Sequence, residues 1–350
     1  MKFILAFIGF GTVGQGLAEI LVNRGEWLRE KYGFEFSVVA VSDLLKGSVY
    51  NPQGLDLPHL LSLVKKKGSI EEYPSGVKGW DSLQTIRQSE ANTIVEVTYT
   101  DLQTGEPALS HLRTALSLGK HVVTSNKGPA ALAYRELREL ARQKGVFFKF
   151  EGSVMSGTPL LNLALNHLAG ARITEVKGIL NGTTNYILTQ MEKGLRYEEA
   201  LREAQHLGYA ETKPDADVEG WDAVAKVLIL ANILMDTQLK VAEVYREGIT
   251  HLTLEHIQEA AREKCRWKLI GSLQRKGSQV RAKVATEKIP LDDPLAGVSG
   301  ITNALTFTTD LLGKVTIIGP GAGRKETGFA LLSDLLDIKR SVSPPGRGLR

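Results

Sequence analysis

The opening of the chain narrows the fold more than any other stretch. Residues 3–8, FILAFI, form an unbroken apolar run of strand length, and Gly9-Phe10-Gly11-Thr12-Val13-Gly14 follows at once. Beyond it, Leu17, Ile20 and Leu21 recur at helical spacing. A strand without polar alternation is buried on both faces, as in the middle of a parallel sheet. In a G-x-G-x-x-G turn between such a strand and a helix, each glycine has a purpose. The first allows the tight turn, the second lets a pyrophosphate approach the backbone, and the third lets helix and strand pack closely, with the helix N-terminus facing the phosphates. Gly9, Gly11, Thr12, Val13 and Gly14 are therefore candidate dinucleotide contacts. A glycine-rich turn with no ligand is the competing reading, and the strand–turn–helix setting weighs against it. The same segment has the lysine and apolar run of a short signal peptide, but it leads straight into the glycines with no small-residue cleavage pattern, so a first strand explains it better.

Strand and helix patterns then alternate to about residue 150. Residues 36–41, 93–97, 121–124 and 146–150 read as strands, and 57–67, 82–88, 109–118 and 130–144 as helices. This alternation predicts a Rossmann-like doubly wound parallel α/β sheet, in which ligands bind beyond the carboxyl ends of the strands. Asp43, Thr98 and Lys127 fall at such ends. A carboxylate at Asp43 would bond the adenosine ribose hydroxyls of NAD, whereas Lys46 close by could neutralise the 2′-phosphate of NADP; Asp43 could also simply cap a turn. Lys127 is placed where cofactor and substrate would meet, although most loop lysines are only solvated.

The second half reads differently. Residues 151–159, EGSVMSGTP, form a small-residue loop, 160–167 begin a helix, 173–180 a strand, and 181–185, NGTTN, a polar turn with backbone donors to offer. Helices are predicted at 186–192 and 197–208, and strands at 280–286, 304–309 and 315–318. A glycine-rich segment at 319–323 precedes a helix at 327–338 that could return to the first domain, and 341–350 read as a loose end. The expected organisation is a dinucleotide-binding domain over 1–150, completed by 319–340, and an α+β substrate-binding domain over 151–318.

The densest chemistry lies in GYAETKPDADVEGWDAVAK, residues 208–226. A helix is predicted from Val218, with Asp217 as its N-cap, so that Asp222 and Lys226 share one face. A solvated acidic helix start with one ion pair is the plain reading. However, Lys226 borders an almost wholly apolar run, 227–235, and several carboxylates converge beside it. That combination suits a small substrate that is both cationic and reactive: carboxylates take an ammonium group, and a partly desolvated lysine exchanges a proton with an oxygen.

Composition removes other classes. A net charge of +4 with scattered basic residues argues against nucleic acid, and no run approaches the length of a membrane-spanning helix. The only cysteine is Cys265, which leaves no disulfide framework or thiolate metal site and points to a reducing, cytoplasmic location.

Over nearly its whole length the chain resembles the homoserine dehydrogenases. The resemblance rests on GFGTVG at Gly9, TSNKGP around Lys127, ILNGTTNYIL at Ile179, AQHLGYAE with DVEGWDAVAK, DPLAGV at Asp293 and GPGAG at Gly319. The first is generic to dinucleotide binders; the TSNKGP, NGTTN and GYAE segments, in this order and spacing, are specific. The resemblance implies reversible NAD(P)H-dependent reduction of L-aspartate 4-semialdehyde to L-homoserine, on the route to threonine and methionine, by a homodimer built through the second domain's sheet. It makes Lys226 the acid/base and places Lys127 at the nicotinamide and substrate junction. Glu211, Asp217 and Asp222, accompanied by Tyr209, would surround the substrate ammonium group, and Gly182 and Thr183 would form the polar turn at the substrate. Gly321 would join Thr98 among the cofactor contacts. Glu151, Val154, Ser156 and Thr158 would hold a monovalent cation, Na+ or K+, though a plain connecting loop is a near-equal reading. The chain departs from the family at Lys213, where many relatives are acidic, and in SVMSGTP, which relatives make richer in glycine. No regulatory extension is expected after the last helix, which argues against allosteric control by that route.

Overall fold

Strand β1 (Phe3–Ile8) sends its side chains alternately to two faces, and both are covered. Phe3, Leu5 and Phe7 enter a core with Leu17, Leu21, Leu331 and Leu335, while Ala6 and Ile8 enter another with Ile94, Leu109, Leu112 and Leu137. That double burial is why the run is continuous. The structure, a computed structural model, describes residues 2–342. The chain divides into two units: the first runs to Gly157 and resumes at Gly323, and the second is Thr158–Ala322.

In the first unit β1 is joined by β2 (Phe36–Asp43), β3 (Gly47–Tyr50), β4 (Val77–Lys78), β5 (Thr93–Glu96), β6 (His121–Thr124) and β7 (Phe148–Lys149) in the order β4-β3-β2-β1-β5-β6-β7. Pairing from β2 through β7 across the centre is parallel, whereas β3 and β4 add an antiparallel edge too short for a sequence pattern to reveal. The expected doubly wound α/β sheet is therefore present. Its strand order reverses at β1, between β2 and β5, so the glycine loop after β1 stands at the switch point where such sheets bind ligands. The last helix, Arg324–Val342, lies on the first helix, Thr12–Tyr32. They meet at glycines: a Cβ built on Gly16 would stand 2.1 Å from the Arg324 carbonyl oxygen, and one on Gly328 would stand 2.7 Å from Gly16. Helix continues to Val342, where a loose end was expected from 341; residues 343–350 lie outside the described residues.

The second unit holds β8 (Ile173–Ile179), β9 (Tyr245–Arg246), β10 (Cys265–Lys276), β11 (Gln279–Pro290), β12 (Thr302–Thr309) and β13 (Gly313–Pro320) in the order β13-β12-β8-β10-β11-β9. All pairs are antiparallel except β11 with β9. Sequence patterning missed β10 because Lys268 interrupts its apolar centre. That lysine is wholly buried, donating to the Val298 carbonyl at 2.9 Å and Asn185 Oδ1 at 3.2 Å and pairing with Glu192, and burial pulls its pKa below the usual lysine range.

Candidate active site

In the second unit, β8 delivers the chain to Leu180 and Asn181. Sequence reasoning expected NGTTN to be a turn ahead of a helix at residue 186. Instead the helix already begins there, spanning Gly182–Glu192, because Asn181 caps it: Asn181 Oδ1 accepts from the Thr184 N–H at 2.9 Å. The other end of that amide organises the acidic segment. Asn181 Nδ2 donates to Asp217 Oδ1 at 2.7 Å and to Asp222 Oδ2 at 3.0 Å, holding two carboxylates beside one helix start. Sequence reasoning passed over Asn181, although an Asn before a Gly-Thr-Thr run is a recognisable cap signal.

The helix expected from Val218 with Asp217 as its cap is interrupted. A short turn, Asp215–Val218, ends at Gly220 in the left-handed region (φ 83), and the long helix is Trp221–Leu234. Asp217 is thereby released from capping and turned to Asn181. Asp222 now lies in the first turn, four residues ahead of Lys226, as the spacing predicted. Lys226 is 5% exposed, and its Nζ donates to the Leu180 carbonyl at 2.5 Å and to Asp222 Oδ2 at 2.8 Å. Two of its three N–H donors are thus engaged, which fixes the direction of the third. The Thr183 hydroxyl donates to the Tyr209 carbonyl at 2.6 Å, and the Tyr209 ring packs edge-on against Tyr186. Glu211 is exposed, and its backbone carbonyl accepts from Gln205 Nε2 at 3.0 Å. The structure therefore gathers Lys226, Asp222, Asp217, Gly182, Thr183 and Tyr209 around Asn181 and leaves Glu211 at the surface.

Burial raises the pKa of Asp217, and the neighbouring Asp222 charge raises it further, against the lowering effect of Asn181 and Lys226. A carboxyl group whose folded pKa is raised binds its proton more tightly folded than unfolded, so its contribution to stability is lost as pH rises from the ordinary value of 3.8 through the folded one. Asp217→Asn should therefore gain stability relative to the parent as pH rises from 4 to 7. Urea unfolding at both pH values checks this, and an equal difference at the two would reject the charge argument.

In the first unit the three glycines behave as their spacing predicts. Gly9 has φ 95, and a Cβ on it would stand 2.5 Å from the Val97 carbonyl oxygen. A Cβ on Gly14 would stand 2.7 Å from the Gly9 carbonyl oxygen, whereas Gly11 faces open space, the room a pyrophosphate needs. Thr12 and Val13 open the helix Thr12–Tyr32. Asp43 closes a turn, as one of its two readings expected, with Oδ1 accepting from Leu45 and Lys46 N–H at 3.0 Å; its Oδ2 also accepts the Phe10 N–H at 2.7 Å, tying β2 to the glycine loop. The Lys46 ammonium stands 3.7 Å from that carboxylate. Thr98 and Lys127 are held by groups that sequence reasoning missed. Glu96, fully buried at the end of β5, accepts from both the N–H and hydroxyl of Thr98 and from the Thr124 hydroxyl. Asn126 donates to the Tyr99 carbonyl at 2.9 Å and caps the short helix Lys127–Leu132. The predicted helix 130–144 is accordingly two, the second being Tyr134–Lys144.

The loop proposed for a cation carries a short helix, Gly152–Met155. Glu151, Val154 and Ser156 are buried in the first unit; Ser156 Oγ lies 2.8 Å from Thr327 Oγ1. The Glu151 N–H donates to Asp334 Oδ2 at 2.9 Å, and burial together with the Glu151 charge pushes the Asp334 pKa well above the carboxylate range. In the second unit, Thr158 is buried and donates to the Pro320 carbonyl at 3.0 Å. Gly321 lies against the amide of Asn303. No helix among the described residues is long and apolar enough to cross a membrane.

With this geometry in place, comparison with known proteins is decisive. A family model described as homoserine dehydrogenase, NAD binding domain, matches residues 9–151, and one described as homoserine dehydrogenase matches 159–336. The chain belongs to the homoserine dehydrogenase family. It is 48% identical over 98% of its length to an NAD(+)-dependent homoserine dehydrogenase of Pseudomonas canavaninivorans, covering 97% of that protein. Among solved structures, a putative homoserine dehydrogenase of Archaeoglobus fulgidus superposes with a TM-score of 0.88 at 37% identity, covering 97% of this chain and 99% of that one. A hyperthermophilic archaeal homoserine dehydrogenase mutant in complex with NADPH gives 0.84 at 27% identity, covering 99% and 100%. The protein is thus an NAD(P)-dependent oxidoreductase of this family, and the resemblance seen in the TSNKGP, NGTTN and GYAE segments holds.

Proposed function

We propose that this homoserine dehydrogenase reversibly reduces L-aspartate 4-semialdehyde to L-homoserine with Lys226 as the acid and base at the reacting oxygen. The observation that carries the proposal is the buried Lys226 ammonium, aimed by Asp222 and the Leu180 carbonyl beside the start of the Gly182 helix. An amino-acid aldehyde matches what surrounds it. Its carboxylate suits the N–H groups of Gly182 and Thr183 at the helix N-terminus, its ammonium group suits Asp217 and Asp222, and its oxygen suits the third N–H of Lys226. In reduction Lys226 gives a proton to the carbonyl oxygen as negative charge develops there; in oxidation the neutral amine takes the hydroxyl proton back. The nicotinamide, when bound, supplies or accepts the hydride. Following NAD(P)H absorbance with purified protein and L-homoserine, with NAD and NADP supplied separately, tests the reaction. Folded protein that binds nucleotide yet stays silent with both would reject it.

The cofactor half belongs to Gly9, Gly11, Thr12, Val13 and Gly14 for the pyrophosphate and to Asp43 for the adenosine ribose, with Thr98, Lys127 and Gly321 as further contacts. Asp43→Ala should raise the KM for NAD by roughly tenfold and that for NADP less, since the carboxylate that repels a 2′-phosphate is removed while Lys46 stays. Equal losses for both cofactors would show that Asp43 serves only to tie the Phe10 N–H. We also infer a monovalent-cation role for Glu151, Val154, Ser156 and Thr158. The burial of the Glu151 side chain in this loop supports it, because a cation beside a buried carboxylate offsets the cost of taking that charge out of water. A cytoplasmic homodimer serving threonine and methionine synthesis completes the proposal; exposed Leu312 and Ile318 on the edge hairpin β12–β13 favour association through the second unit's sheet.

A further inference from the structure

The amide of Asn303, on β12, is fully buried, and neither its oxygen nor its nitrogen finds a hydrogen-bond partner among the described residues. Buried amides are almost always paired, so a doubly unpaired one calls for a use. Backbone encloses it without satisfying it. A Cβ built on Gly321 would stand 2.1 Å from Asn303 Nδ2, so only glycine lets the 319–323 segment lie down on the amide. On another side is Gly182: a Cβ there would stand 3.5 Å from Asn303 Oδ1. The unpaired amide therefore sits at the head of the helix whose cap, Asn181, holds Asp217 and Asp222.

An asparagine amide offers an acceptor and two donors side by side. A carboxylate alone would leave Oδ1 unpaired, and an ammonium group alone would leave Nδ2 unpaired. An α-amino acid carries both on one carbon. We propose that Asn303 reads the zwitterionic head of the substrate at Gly182, with Oδ1 accepting from the α-ammonium and Nδ2 donating to the α-carboxylate once the 319–323 segment lifts off it. Asn303 thereby makes the enzyme choose an amino acid over the corresponding hydroxy acid lacking the amino group. The inference rests on the substrate reading given above.

The test compares the parent enzyme with Asn303→Leu and Asn303→Ala in L-homoserine oxidation, in 4-hydroxybutanoate oxidation and in thermal unfolding. The KM for homoserine should rise roughly 10–100-fold, with kcat and the KM for NAD within about threefold, and the preference for homoserine over 4-hydroxybutanoate should shrink. Tm should hold or rise in the leucine variant, because an unpaired amide has been exchanged for an apolar group of similar size. Asn303→Ala should repeat the KM shift, so a leucine that cannot be accommodated does not decide the matter. An unchanged homoserine KM in Asn303→Ala, with or without a lower Tm, overturns the role of Asn303 while leaving the substrate reading intact. A parent enzyme that is inert with homoserine overturns the substrate reading itself, and the inference with it.

Discussion

Replacing Lys226 by methionine should lower kcat for homoserine oxidation by roughly 10²–10⁴-fold while changing the homoserine KM far less. The aliphatic stem, buried along the helix Trp221–Leu234, is nearly conserved in methionine; what disappears is the one group able to take the hydroxyl proton. The carboxylates and helix start that would bind the substrate remain, which is why the loss should fall on kcat. Two groups lose a partner: the Leu180 carbonyl, and Asp222, which keeps its bond from Asn181 Nδ2. A measured circular-dichroism spectrum and NAD affinity like the parent's would show that the fold tolerates this. A kcat within threefold of the parent would reject the acid/base role.

Gly16→Val should cost about 3 kcal/mol of stability, concentrated in the nucleotide-binding unit. The new Cβ would have to occupy space 2.1 Å from the Arg324 carbonyl oxygen, a backbone atom that cannot rotate away. The helix Arg324–Val342 must shift outward, uncovering Leu17, Leu331 and Leu335 and parting the Arg324–Glu19 ion pair. The urea midpoint followed by NAD binding should fall, and an unaltered midpoint would show that the two helices can separate cheaply. Gly16→Ala provides a graded comparison, with the same clash and less bulk beyond it.

The sequence disclosed what is local and periodic. FILAFI followed by three spaced glycines contained the central strand, the turn and the helix together, because each glycine answers to a steric demand within a few residues of it. Asp222 and Lys226 were legible for the same reason, being separated by one helical turn. What stayed hidden depends on partners remote in sequence. Asn181 reaches Asp217 and Asp222 across two whole intervening helices, Gly182–Glu192 and Tyr197–His206, and no pattern near it announces that its amide will bind both. Lys268 made β10 look too polar for a core strand, since the groups that satisfy it arrive from Asn185, Glu192 and Val298. Glu96 and Asn126 likewise act through loops brought together only by neighbouring strands of the sheet. The break at Gly220 was written in the chain as an ordinary glycine inside an otherwise convincing helical repeat; its left-handed φ diverts Asp217 toward Asn181.

The helix Arg324–Val342 also sets an order of events at the ribosome. Residues up to Gly157 emerge first, yet the core that Phe7 of β1 forms with Leu17 and Leu21 of the first helix is completed only by Leu331, Leu335 and Ile338. At translation rates of about 5–20 residues per second, synthesis of Thr158–Ala322 holds that completion back for on the order of ten seconds. The second unit, continuous in sequence, can therefore close its sheet before the first one does. The nascent nucleotide-binding half waits with an apolar face uncovered, and a message truncated ahead of residue 324 yields a chain that exposes it permanently. Quality control thus has a ready mark by which to tell an unfinished copy from a finished one.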